Sequence, residues 1–563
     1  MMFLRQAAAS LLKRTRISSK LFSDSPKTAI SPSPTSLSNK FRISDQNCFQ
    51  GSDWRMDHMD PCLWMVIYGQ AAVFMGINAN LVQAEGASIE SSSGNDVEGA
   101  KITGLRKIED GSVVSNIHTS KWRVFTDNGR DFFLQGKLEE AERFFLSALQ
   151  EAKEGFGQND PHVASACNNL AELYRVKKEF NKAEPLYLEA INILENSYGH
   201  EDIRVGVAVH NLGQFYLVQR KLEEARVCYE RAVKIKQHVL GEDHIDYADT
   251  MYHLGMVLYL QGKESDAEAL IQDSIRILEG CGQGESISCI RRLKYLAQIY
   301  LKSNRSMEAE NTQRKILHVM ELSKGWNSLD TVNAAEALAL TLQSTGNLRE
   351  AQELFERCLE ARKTLLPDDH VQIAANMLHM ARMLMLKSNQ LRKTHMAEAI
   401  VELDKAKDFL DNSSRISEKV LNKLTKQRSK QDQPVPEETR RDVHSQLLIL
   451  LQSLDALGVL EVSMNELQDS KEEYLATNMA KNAFVQCISA YKEYGLEKSL
   501  SNSPAVKSEY LSCLKHLSAL IADTSAEGIQ HLSRTNLEDL QNEIKRVEGE
   551  ISAYKRSKRS SSS

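Results

Sequence analysis

Apolar and polar positions along residues 121–366 follow two superposed periods. Over short stretches apolar side chains recur every three or four positions, as one buried face of a helix requires. Over a longer span the whole pattern returns, with Ala141, Ala183, Ala225, Ala267, Ala309 and Ala351 at a constant spacing of 42 residues. A fixed period of this length marks a supersecondary unit that buries its apolar face only by stacking on copies of itself. The pattern therefore predicts an all-helical repeat array.

Each unit reads as an antiparallel helical hairpin. Twelve residues before each key alanine stands a small residue: Gly129, Ala171, Gly213, Gly255, Ala297 or Ala339. Four residues after it stands a large one in most copies, namely Phe145, Tyr187, Tyr229, Ile271 and Phe355. Small against large lets two helices approach closely. The halves are joined by short polar stretches such as QGKLEE, KKEFNK and TGNLRE, whose glycines suit a helix end and a tight turn.

Strings such as NNLAELYRVKKEFNKAEPLYLEAINILENSYG resemble tetratricopeptide repeats of the kinesin-light-chain type, whose units are longer than the usual ~34 residues. The resemblance implies an all-α, right-handed superhelical solenoid of tetratricopeptide helical hairpins. Six units cover about Lys121 to Leu366. A seventh follows if about six residues are inserted in its turn, with Ala381 in its first helix and Ala399, Leu403 and Ala406 in its second, which places the array at residues 117–410.

Beyond the array, residues 411–440 read as a charged linker closed by two prolines. Helical periodicity returns over 441–555, in segments His444 to Leu467, Glu472 to Tyr494, Val506 to Ile521 and Leu537 to Tyr554. These helices are expected to pack on the last repeats and cap them. Residues 556–563 form a basic tail without interleaved aromatics, which reads as solvated chain and not as a nucleic-acid patch.

Residues 1–116 read as carrying sorting chemistry. Met1 to Ser23 contain Arg5, Lys13, Arg14, Arg16 and Lys20 and no acid, interspersed with apolar residues, so residues 1–50 read as an organelle presequence with its linker. The early arginines favour a mitochondrion; a plastid or the cytosol is the alternative. Pro61 to Ala84 lack any charged residue, a marginal length and composition for a membrane span. Three readings stand: a single inner-membrane anchor, a cleaved sorting signal, or a buried or peripheral helix. An anchor would favour the repeats facing the intermembrane space. The Ser, Gly and acid-rich residues 85–116 read as a flexible tether.

Bulk composition narrows the function class. The formal net charge of the 563 residues is −6, which implies neither a nucleic-acid groove nor a polyacidic tail. Nine cysteines are scattered with no CxxC pair, so buried thiols are expected and no disulfide framework; Cys281 and Cys289 could bridge a turn, or carry thiol chemistry, in an oxidising space. No phosphate loop, dinucleotide glycine motif, HExxH or GxSxG occurs. His162, His244 and His370 lie in connections between units, where nearby acids are expected to cap the next helix. The reading is a non-enzymatic protein with no cofactor, no metal and no nucleic acid.

Function then resides in a surface. The resemblance implies that the concave wall of first helices holds an extended peptide. By register the candidates there are Asn168, Asn169, His210, Asn211, Gln214, Tyr252, His253, Lys294 and Tyr295. Asn169 and Asn211 match the family's asparagine, whose amide can pair with both backbone groups of a peptide. The order of presequence, hydrophobic span and array resembles that of inner-membrane-anchored repeat proteins of the respiratory chain, which implies a role in assembly or quality control. A soluble cargo or trafficking adaptor is the alternative.

Overall fold

The computed structural model describes residues 117–428, 437–468, 473–494, 503–525 and 532–560. The expected presequence, hydrophobic segment 61–84 and tether 85–116 lie outside the described residues. Among those described there are eighteen helices and no strand. They divide into two compact units, one ending at Leu354 and one beginning at Phe355.

The first unit is a stack of helical hairpins. It comprises α1 (Ile117–Leu134) and α2 (Leu138–Phe156), α3 (Pro161–Val176) and α4 (Phe180–Tyr198), α5 (Ile203–Val218) and α6 (Leu222–Leu240), α7 (Ile245–Leu260) and α8 (Glu264–Gly280), then α9 (Ile287–Lys302) and α10 (Ser306–Lys324). The sixth hairpin opens with α11 (Leu329–Thr345) and ends with α12 (Leu348–Leu365). The fold is an all-α solenoid of helical hairpins. Every key alanine from Ala141 to Ala351 is 0% exposed. The small residue opposite is needed: a Cβ on Gly129 would lie 2.6 Å from the Phe145 ring, and one on Gly213 would lie 3.0 Å from Tyr229.

The turn inside each hairpin is closed the same way six times. The amide of Lys137 donates to the Phe132 carbonyl at 2.9 Å, and that of Gly136 donates to Phe133 at 3.0 Å. The equivalent pairs recur at Glu179 and Lys178, Lys221 and Arg220, Lys263 and Gly262, Arg305 and Asn304, and Asn347 and Gly346. This double closure requires one residue with left-handed backbone. Gly136, Gly262 and Gly346 supply it at φ 75°, 82° and 88°, whereas Lys178, Arg220 and Asn304 adopt it at 61°, 63° and 56°.

Hairpins are also tied to their neighbours through matching polar contacts. The Tyr174 hydroxyl donates to Glu142 at 2.9 Å and, one repeat later, the Tyr216 hydroxyl donates to Glu184 at 3.0 Å. Helix starts between repeats are capped as the connections suggest, with one difference. Asp160 accepts from the His162 amide at 2.9 Å, but at α7, and in the second unit at the helix Val371–Leu391, the histidines themselves, His244 and His370, take the capping role with their ring nitrogens. His162 packs instead between Trp122 and Phe156, with ring centroids at 4.6 and 4.1 Å.

The second unit contains α13 (Val371–Leu391), α14 (Met396–Arg428), α15 (Glu437–Gln468), α16 (Glu473–Tyr494), α17 (Pro504–Ser525) and α18 (Leu532–Ser560). α13 and α14 form the seventh hairpin, with Ala381, Ala399 and Ala406 all 0% exposed. α14 runs on to Arg428, well into the stretch read as a charged linker, because Ser413, Ile416, Ser417 and Leu421 are buried along one face. α15 and α16 repeat the hairpin logic: a Cβ on Gly458 would lie 2.4 Å from the Phe484 ring, and Ala480, four residues before Phe484, is 0% exposed. The stretch Val443–Leu467 of α15 is apolar and long enough to cross a membrane, but most of it is buried in this core. α18 continues to Ser560, into the residues read as a basic tail.

One cysteine expectation is corrected. Cys487 on α16 and Cys513 on α17 are joined in a disulfide, with Cα atoms 6.4 Å apart. A separation of 26 residues hides such a pair from any short-motif reading, since two helices carry the partners together. Cys281 and Cys289 are both free.

Candidate functional site

The first helices α3, α5, α7 and α9 present one polar wall. Asn211 Nδ2 donates to Asn168 Oδ1 at 3.1 Å, joining repeats 2 and 3. Asn169, next to Asn168 on α3, is buried. Tyr252 and Tyr295 meet edge to face at 6.1 Å, and Tyr295 meets Tyr259 at 5.4 Å. Lys294 lies on α9, where desolvation by neighbouring protein lowers its pKa and Asp330 opposes that shift.

A network around Thr250 stands between repeats 3 and 4. Its hydroxyl donates to the Asp246 carbonyl at 3.0 Å and accepts from Lys236 Nζ at 2.8 Å. The remaining lone pair faces His210 Nδ1 at 3.1 Å, so Nδ1 donates to it. His210 Nε2 lies 3.3 Å from the Gln214 amide nitrogen. His253 lies against His210 with centroids 5.2 Å apart and stacks on Tyr229 at 5.7 Å.

Asp249 faces the same network. Arg292 Nη2 donates to Asp249 Oδ1 at 2.8 Å and Nη1 donates to the Ser274 carbonyl at 3.2 Å, while the guanidinium lies 5.5 Å from the Tyr252 ring centre. Burial alone would raise the Asp249 pKa, but His253, Arg292, His210 and Lys236 hold the carboxyl well below its ordinary range. His210, Asp249 and His253 offer ligand atoms within 4.8 Å of one another, a donor set that suits zinc. Lys236 and Arg292 are both buried beside it, so two fixed cations adjoin one carboxylate and oppose a dication.

The structure thus gathers Asn168, His210, Asn211, Gln214, Tyr252, His253 and Tyr295 into hydrogen-bonded or ring-to-ring neighbours, with Asn169 following Asn168 on α3 and Lys294 preceding Tyr295 on α9. Register reasoning on first helices missed Asp249, Thr250, Arg292 and Lys236. Lys236 comes from a second helix, α6, which that reasoning does not consult; the others lie on the same helices, where the acid at 249 and the cation at 292 were the available signal. The thiol alternative loses support: Cys281 is exposed, but Cys289 is buried and burial raises its pKa, so its thiolate is disfavoured.

Hairpins with small-to-large helix contacts, double-closed turns and a polar wall of first helices define a helical repeat protein of the binding-scaffold class. The sequence profile of the tetratricopeptide repeat family matches residues 123–196, 204–280 and 286–364, and this part of the chain is a tetratricopeptide array. Among solved structures, TPR-like repeats assigned to a kinesin light chain of Podosopora anserina are 20% identical, covering 37% of this chain and 99% of that one at a TM-score of 0.34. BtubC from P. vanneervenii is 16% identical, covering 45% and 93% at 0.35. The apo form of RapI is 12% identical, covering 73% and 99% at 0.42. No curated protein matches the chain.

Proposed function

We propose that this protein is a non-enzymatic scaffold that holds an extended segment of a partner protein against the wall of α3, α5, α7 and α9. Tetratricopeptide repeat proteins act as protein-interaction scaffolds. The observation that carries the reading is the amide group at repeats 2 and 3. Asn168 and Asn211 are joined by a hydrogen bond, and Asn169 sets a third side-chain amide next to Asn168, a group that can both donate to and accept from a peptide backbone. Tyr259 and Tyr295, which are partly exposed and meet at 5.4 Å, offer rigid aromatic surface on repeats 4 and 5.

The proposal extends to place: the cationic amino-terminal stretch and the uncharged Pro61 to Ala84 support a mitochondrial, membrane-tethered protein serving assembly or quality control of a respiratory complex. Two measurements test these parts separately. Partners are captured from mitochondrial extract with the wild-type chain and with Asn169→Ala/Asn211→Ala, and identified by mass spectrometry. Loss of the same partners in a folded variant supports the wall; full retention overturns it. Carbonate extraction and protease protection of the tagged full chain test the tether. A full-length, soluble cytosolic chain would overturn the mitochondrial reading and favour a cargo adaptor.

A further inference from the structure

The unit formed by residues 355–560 carries polar chemistry that no part of the array reading uses. Arg382 follows the small Ala381 on α13, the register place that Gln214 takes after Gly213 on α5. On α15, Asp455 precedes Gly458 by three residues, as His210 precedes Gly213. Within this unit, the first helices of hairpin 7 and of the α15/α16 pair thus carry polar side chains at the same register positions. α17 adds Glu509, Ser512 and His516.

The hydrogen bonding inside this cluster is uneven. Asp455 is fully engaged: Oδ1 pairs with His516 Nδ1 at 2.8 Å and Oδ2 accepts from Ser512 Oγ at 2.9 Å. Glu509 Oε1 accepts from Gln452 Nε2 at 2.7 Å. Arg382 Nη1, by contrast, is buried and has no hydrogen-bond acceptor among the described residues. Burial lowers the Arg382 pKa and the charges of Glu509 and Asp455 oppose this, so the carboxylates lie near enough to act on it through space. A guanidinium remains charged even so. An unmet buried donor costs about 1–3 kcal/mol, more when charged.

The missing partner is thus an acceptor. A two-oxygen anion matches the fork of the guanidinium. The Asp455 and His516 side chains keep 13% and 19% of their exposure, so solvent reaches the cluster. Burial also pushes the Glu509 carboxyl up to about 7, which reduces its repulsion of an incoming anion at neutral pH.

We propose that α13, α15 and α17 form a second recognition site, which takes a carboxylate of an acidic polypeptide segment on Arg382. The carboxylate comes from an acidic side chain or from a chain terminus, and the test separates the two. The full chain is treated with phenylglyoxal, and modification of Arg382 is followed by mass spectrometry with tetraglutamate amide, tetraglycine free acid, tetraglutamine amide or inorganic phosphate present. Protection by tetraglutamate amide assigns a side chain, and protection by tetraglycine acid assigns a terminus. Protection by neither overturns the site, and equal protection by phosphate or by tetraglutamine overturns the acidic-segment assignment. Affinity for the protecting peptide is then measured by calorimetry. Arg382→Gln should weaken it about tenfold or more, with Arg382→Lys between; unchanged affinity would overturn the proposal. Because the footprint is read on the wild-type chain, a variant that fails to fold leaves the test intact.

Discussion

Arg220 holds, at φ 63°, the left-handed backbone that Gly262 occupies at 82° one repeat later. The turn closure dictates the conformation, not the residue type, since both sites make the same pair of amide bonds. A side chain in that region costs about 1–2 kcal/mol that glycine avoids. Arg220→Gly and Lys178→Gly should therefore each raise the stability of the array by about 1 kcal/mol, read as a higher denaturant midpoint with unchanged slope. Asn304→Gly should give less, because asparagine tolerates the left-handed region.

Gly129 and Gly458 make the opposite prediction. Adding one methyl group at either would place it 2.6 Å or less from an aromatic ring, Phe145 or Phe484. Each Gly→Ala change should destabilise its own unit by about 1–3 kcal/mol through overpacking, although alanine favours helix. Hydrogen exchange would show the loss around α1 and α2 for the first and around α15 and α16 for the second.

Reduction should act on the second unit alone. The Cys487–Cys513 bond closes a loop of 26 residues between α16 and α17, for which chain entropy predicts about 3 kcal/mol. A reductant, or Cys487→Ser/Cys513→Ser, should lower the melting temperature of residues 355–560 and leave amide protection in α3 to α9 unaltered.

Acidity should also act there, with a defined sign. Glu509 has its folded pKa raised from 4.5 to about 7, first by burial, with Arg382 and the Gln452 hydrogen bond opposing. The folded state therefore binds the extra proton between those values, and stability falls as pH rises through that window. His516, whose pKa Asp455 raises against the effect of burial, adds stability below its ordinary value that is lost as pH rises further, so both groups act in one direction. Unfolding of this unit followed from pH 5 to 8 should show a loss on the order of 1–3 kcal/mol, and Glu509→Gln should flatten much of it.

The array was legible because its determinants are local and repeated. Ala141 and its five equivalents, the small residues before them and the large residues after most of them recur within one 42-residue window. The α15/α16 pair obeys the same rule, but Gly458 and Ala480 are separated by 22 residues instead of 12, and a fixed-period reading passes over them. The wall residues were read from first-helix register, which finds His210 and Tyr252. It cannot find Lys236, which arrives from a second helix, nor that Asp455 and His516 face each other across 61 residues of sequence. Those depend on packing between helices.

The matching Tyr174–Glu142 and Tyr216–Glu184 contacts make successive hairpins interchangeable at their joints. Removing residues 179–220, one whole period, would bring α3 directly onto α6 and leave Ala171 opposite Tyr229, a pairing of the same kind as those lost. Array length is therefore a heritable variable, altered by excision or duplication of single units without redesign of any core. The wall is not so forgiving: the Asn168–Asn211 pair would vanish in the same step. Architecture and recognition are in this way set by different residues of each repeat, free to diverge at different rates.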